Sequence, residues 1–443
     1  MRAPPRFDRR ALLLGGVAAS LWAWRGGAGA ATPAPARRLT AAAASQALAP
    51  PPAAPTRLLA YEGTVPGPLI RLRRGEALAL SLANRLDAPT TLSFPGLRIA
   101  NALAGIAGLT QAPIEPGGEA EIRFTPPDAG FNLYLPDAGA ATARQLAAGL
   151  FGPIVVEEPS PPAVDLEAIV VLADWRLDEA GRLRDDSAPA GALVTAGAAA
   201  APQRFAAPPG ARVRLRLANA SATRAMTIAV DGVTPLIVAV DGQPSAPFAP
   251  LRNLFPMGPG ARFELVFDMA DAAVAFSLRD DAASAPDQPL VVFACDGAAK
   301  PARPEFAGLP ANPLLPKEID LARARRFELT LSSGDGAALA INGETLSEWS
   351  GKPQFAVRRG APVTLALINA TAAAQTMRLG GHVARLLHAL DDGWEPYWRD
   401  VFIVPPGRTV RLAFVADNPG KWPIASATPA SRAAGLSGWF QVG

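Results

Sequence analysis

A chain of 443 residues is too long for one ordinary core and implies about two to four domains. Apolar residues at 49% against 18% charged exclude a disordered chain, and 40 Gly with 46 Pro, together about 19%, stay below the roughly 25–30% of low-complexity segments and fit a turn-rich β protein. A formal charge of +3 leaves a nucleic-acid or membrane-surface role open until the termini are read, whereas one Cys and two His exclude a disulfide framework, a four-thiolate iron-sulfur cluster, a Cys-rich zinc site and any metal chemistry needing several imidazoles.

The N-terminus accounts for the charge. Arg9 and Arg10 precede Ala11-Leu12-Leu13-Leu14, an apolar run continues to Trp24, and Ala28-Gly29-Ala30 supplies a small-residue cleavage site, the layout of a twin-arginine (Tat) signal peptide over residues 1–30. Cleavage leaves 37 basic and 38 acidic residues, a net of about −1, so no nucleic-acid partner is expected. No later segment reaches about 18 uncharged apolar residues, so no transmembrane span is expected in the mature protein. The expected destination is the periplasm, reached through the Tat translocase. Residues 31–55, rich in Ala and Pro, are expected to be a poorly ordered lead-in.

A strand signature then occurs three times. Gly75, Gly210 and Gly360 each stand nine residues before an Asn (Asn84, Asn219, Asn369), and between them apolar residues alternate with a period of two, as a strand with one buried face requires. A second signature follows each copy: Gly117, Gly260 and Gly407, each after a Pro, stand seven residues before Phe124, Phe267 and Phe414. Three matched pairs imply three homologous all-β sandwich domains, over residues 56–158, 163–298 and 318–443, with few and short helices. Linkers are expected at Glu158 to Pro162 and at Ala299 to Lys317, where Pro recurs and periodicity lapses.

Local sequence adds a resemblance from about residue 58 to residue 443. Tyr61 to Ile70, Ala100-Asn101-Ala102 with Gly108-Leu109-Thr110-Gln111, Phe124 to Gly130, and Gly149-Leu150-Phe151-Gly152-Pro153 resemble segments of the multicopper oxidases. That resemblance implies three tandem cupredoxin-like Greek-key domains. It also implies copper held by His-x-His pairs of the first and third domains together with a His-Cys-His triplet, since imidazole and thiolate suit copper. Here the ligand positions carry other residues: Ser93 and Pro95 at the first pair, Leu135 and Asp137 at the second, Gln375, Arg378 and Gly380 in the third-domain motif, Ala425, Ser426 and Ala427 at the triplet, Ser431 at the later His and Leu436 at the axial position. His382 matches a position that does not bind copper. Cys295 lies in the second domain, far in sequence from the expected thiolate, and reads as a small buried hydrophobe.

No copper cofactor and no catalytic residue are therefore expected. The organisation resembles the copper-free, Tat-exported SufI-like (FtsP) cell-division class of this family. The reading that follows is a non-catalytic binding or scaffold protein with a periplasmic or envelope partner. Its rival is a multicopper oxidase family oxidoreductase with residual or altered metal-dependent activity, and a small-ligand binder using the old substrate cleft is a third reading. Asp137 reads either as a carboxylate in a vacated site or as a turn cap in Pro136-Asp137-Ala138-Gly139. Arg378 reads either as a fixed charge in the space of a lost metal or as a solvated sheet-face residue. His382 and His388 with Asp391 or Asp392 leave a metal site conceivable, against a hydrogen-bonded core His beside a surface one.

Overall fold

The computed structural model describes residues 37–184, 193–279, 287–346, 349–388 and 393–443. The signal peptide with Arg9 and Arg10, and the pair Asp391 and Asp392, lie outside these residues. Strands dominate, and the helical segments among the described residues are single turns or little more, Thr142–Ala147 and Pro429–Ala433 being the two α-helices. Among the described residues no helix is long and apolar enough to cross a membrane.

The two repeated signatures pair with each other in every domain. Strand Leu78–Arg85 runs antiparallel to Glu119–Phe124, Arg212–Asn219 to Arg262–Asp268, and Ala361–Asn369 to Thr409–Ala416. Each first strand also takes a parallel neighbour on its other side: Arg37–Gln46, Leu166–Trp175 and Arg325–Ser333. The signature Asn does one job three times. Asn84, Asn219 and Asn369 are fully buried; each Nδ2 donates to two backbone carbonyls, and each Oδ1 accepts the N–H two residues on. The N–H of Gly117, Gly260 and Gly407 donates to the carbonyl of the matching Asn at 2.8–2.9 Å. Asn can close that loop because it offers two donors and an acceptor in one side chain.

The lead-in expectation is corrected. Residues 37–46 form a strand of the first domain, paired with both Thr56–Tyr61 and Leu78–Arg85, and Leu48 is 1% exposed in an apolar layer with Phe131, Phe151 and Trp175. Ala-rich composition reads as weakly ordered, but Leu39 and Ala41 alternate into the core as a strand requires.

The linker at 299–317 forms no strand yet is a strap held by side chains. Arg303 and Lys300 meet Asp165, and buried Asn312 exchanges two hydrogen bonds with the backbone of Ala129 while donating to Gln243 Oε1. Glu158, in the other linker, is buried against Arg214.

The second domain departs from the one-buried-face pattern. Val213, Leu215 and Leu217 enter its core as expected, but Arg212, Arg214 and Arg216 on the opposite face are also buried, because this sheet packs against the first domain. Arg214 lies between Glu158 and Glu264, Arg216 between Glu167 and Glu264, and the Glu264 carboxylate also accepts the Phe131 N–H of the first domain. At Gly130 the two domains approach so closely that a Cβ would lie 1.9 Å from the Gly242 carbonyl oxygen.

Candidate functional site

Short strands of the first and third domains bring the sequence-derived positions together. Ser93 and Leu135 form a bridge, exchanging backbone hydrogen bonds at 2.8 and 3.0 Å, and the Ser93 hydroxyl donates to the same Leu135 carbonyl. In the third domain, Arg378 on strand Gln375–Leu379 lies opposite Ala425 on Gly420–Ser426, and Met377 opposite Ser426. The Ser426 N–H donates to the Leu436 carbonyl, and the Leu436 N–H to that of Ser431. Gln375 is buried and donates to the Thr371 hydroxyl.

Between the two domains Arg378 Nη2 donates to Asp137 Oδ2 at 3.0 Å, and Arg432 Nη1 stands 2.8 Å from Asp137 Oδ1 as an ion pair without hydrogen-bond geometry. Asp137 is 1% exposed. The turn-cap reading of Asp137 and the solvated-face reading of Arg378 both give way: the two were drawn together across the domain boundary, which turn chemistry and strand alternation cannot show. Burial lowers the Arg378 pKa from its ordinary value, the neighbouring Arg432 lowers it further, and Asp137 and Asp400 hold it up. Arg432 also stacks over the Trp349 ring at 5.4 Å.

Two small cavities, each about 30 Å³, flank Arg378. One is lined by Pro95, Leu135, Asp137, Ser426, Ala427 and Arg432 among others; the second by Ser93, Pro95, Gly380, Asp400 and Trp422. Next to the second, Arg262 joins all three domains. Its Nη2 donates to Asp400 Oδ1 at 2.7 Å, to the Asp241 carbonyl and to Asn132 Oδ1, and it fills the space that a Cβ at Gly96 would need. Burial pushes the Asp400 carboxyl up to about 6, against the pull of Arg262. This node was not anticipated: Arg262 follows a turn in a strand that reads as ordinary, and its partners in the other two domains, Asn132 and Asp400, are over a hundred residues away on either side.

His382 is a core residue. Its Nδ1 meets the Gly380 carbonyl at 3.0 Å, its Nε2 accepts the Asn418 N–H at 3.3 Å, and its ring packs among Phe414, Trp422 and Phe440. Both nitrogens are engaged, so it has no lone pair to offer a metal shared with His388, which is exposed. Cys295 is half-buried at the end of strand Gln288–Cys295.

Models of the family described as multicopper oxidase match residues 43–161, 170–292 and 318–443. The chain belongs to the multicopper oxidase family. It is 28% identical over 412 residues to multicopper oxidase MmcO of Mycobacterium tuberculosis, covering 82% of this chain and 79% of that protein. It is 37% identical over 119 residues to copper resistance protein A of Pseudomonas syringae pv. tomato, 26% of this chain and 19% of that one. Among solved structures, a multi-copper oxidase from Pseudomonas Thermotolerans superposes with a TM-score of 0.82 at 27% identity, covering 92% of this chain and all of that chain. Lac15 from a marine microbial metagenome gives 0.78 at 28%, with the same coverage.

Such a fold implies copper, and the donors can be tested against it. Where the first- and third-domain motifs converge, the side chains that meet are two guanidinium groups and one carboxylate, with no imidazole or thiolate beside them. Among the described residues no group of three or more His, Cys, Asp or Glu is placed to hold a metal ion. A guanidinium offers five donors and no acceptor, so this arrangement does not fit a copper cluster.

Proposed function

We propose that this chain is a copper-free member of the multicopper oxidase family, exported to the periplasm through the Tat pathway, which acts by binding an envelope partner and not by oxidation. The observation that carries the reading is the Arg378–Asp137–Arg432 cluster: fixed positive charge stands at the junction of the first and third domains, where copper would need neutral imidazoles. The arrangement of a Tat signal ahead of three sandwiches is that of the SufI-like class, and the binding role rests on this likeness in organisation.

The rival is a metal-dependent oxidoreductase, the activity named for MmcO. Metal analysis of periplasmic protein separates them. Well under one copper per chain, no blue absorption and no oxygen uptake with phenolic substrates are expected. Several bound coppers with turnover would establish the oxidase instead. Cross-linking in intact cells, followed by purification, is then expected to capture an envelope protein reproducibly, and capture of the Tat translocase alone would remove the binding role.

A further inference from the structure

The charges at the three-domain junction are unevenly distributed. Arg262 and Arg399 face Asp241 and Asp400, a balanced set, whereas Arg98 faces two carboxylates, Asp128 and the more exposed Asp417. Among the described residues Arg378 and Arg432 share Asp137 as their one ion-pair partner, with Asp400 acting on Arg378 from farther off, so their own cluster holds an excess positive charge in a largely buried place. Their donors are also unspent. Among the described residues, of the five N–H groups on each guanidinium, Arg378 uses one in a hydrogen bond to protein, and Arg432 makes its ion pair and its stacking on Trp349. A third group points the same way: Ser221, 2% exposed, lines the cavity beside these arginines, and its hydroxyl has no hydrogen-bond partner among the described residues. A buried hydroxyl without a partner is costly, and the two guanidinium groups beside the same void still have donors to offer an acceptor.

From this geometry we infer a binding site for a small monatomic anion of the halide class, held by Arg378, Arg432 and the Ser221 hydroxyl. The cavity of about 30 Å³ accommodates one such ion, or about two waters, and is too small for an organic carboxylate or a phosphate. The companion cavity on the far side of Arg378 is unsuitable, because Asp400 faces it. Asp137 limits the guest to a single negative charge: with it the cluster is neutral, whereas a dianion would leave an excess. The site rests on the copper-free reading, since a metal centre would claim the same space.

The test is thermal unfolding in sodium chloride, sodium bromide and sodium gluconate at matched ionic strength, with copper measured on the same sample. Chloride and bromide should raise the midpoint saturably by a few degrees over gluconate, as linkage to a native-state ligand requires. Arg432→Gln should abolish that difference, and Ser221→Ala should weaken the apparent affinity several-fold. Bromide-soaked crystals of the unmodified protein should show an anomalous peak between Arg378 and Arg432, which decides the matter even if Arg432→Gln does not fold. Equal midpoints in all three salts, or a bromide-soaked cavity holding only water, would overturn the anion site. If copper is absent in that case, the copper-free reading stands while the site falls; if copper is present, that reading falls first.

Discussion

At the scale of single residues, burial sets the charge of His382 and Asp400 in opposite directions. His382 is held neutral: desolvation drives its pKa down to about 4, with the Gly380 carbonyl and Asp417 pulling weakly upward. An unfolded chain carries this His near 6.5, so between about 6.5 and 4 the unfolded state binds more protons, and the stability His382 contributes is present above that window and lost as pH falls through it. For Asp400, raised to about 6, the folded state binds the extra proton, so its contribution is present at low pH and lost as pH rises from about 4 to 6. The two effects overlap and oppose, which should flatten the pH profile of the native protein. His382→Gln removes one of them. The stability gap between native and variant protein, read by urea denaturation, should therefore shrink by about 2 kcal/mol between pH 7 and pH 4.5. A gap that stays constant would mean that His382 titrates as an exposed imidazole does.

At the scale of elements, strand Arg212–Asn219 shows what a local pattern can and cannot carry. Alternation placed Val213, Leu215 and Leu217 in the core, and the threefold Gly-to-Asn spacing located the paired strands and the buried Asn of all three domains. Both are short-range signals. The arginines on the other face look solvated because the acids that neutralise them lie 49 to 56 residues away. Asp137 and Arg378 are 241 residues apart, so their pairing was equally hidden, although each position was singled out by its neighbours in sequence. Buried pairs of this kind add little net stability over apolar packing, yet breaking one leaves a charge stranded. Glu264→Gln removes the carboxylate shared by Arg214 and Arg216 and should cost about 3–5 kcal/mol by denaturant titration. Glu121→Gln, whose Arg123 partner is exposed, should cost under about 0.5 kcal/mol. Similar losses for both would mean that the Arg214 network is hydrated.

At the scale of the whole molecule, the three sandwiches share their interiors. Ala104 and Ile106 of the first domain complete the core of the third, and Val401 of the third enters the core of the second. Polar ties run alongside: Trp349 Nε1 donates to the Ala107 carbonyl, and Asn418 Nδ2 to that of Ile99. Domains joined this way should unfold together, and Arg262 is the side chain that touches all three. Arg262→Met should leave Asp400 without its ion-pair partner and Asp241 with Arg399 alone at 4.0 Å, two like charges in one buried place, at a cost of about 3–5 kcal/mol. Asp400, already raised to about 6, should then take up a proton more readily, so the loss should be smaller at pH 5 than at pH 8. Calorimetry gives a second readout: the native protein should show one transition with matching calorimetric and van't Hoff enthalpies, and the variant a broadened or split one. If Arg262→Met lowered the midpoint but left a single sharp transition with no pH dependence, the junction charge would be ordinary packing, and the shared apolar cores alone would hold the domains together.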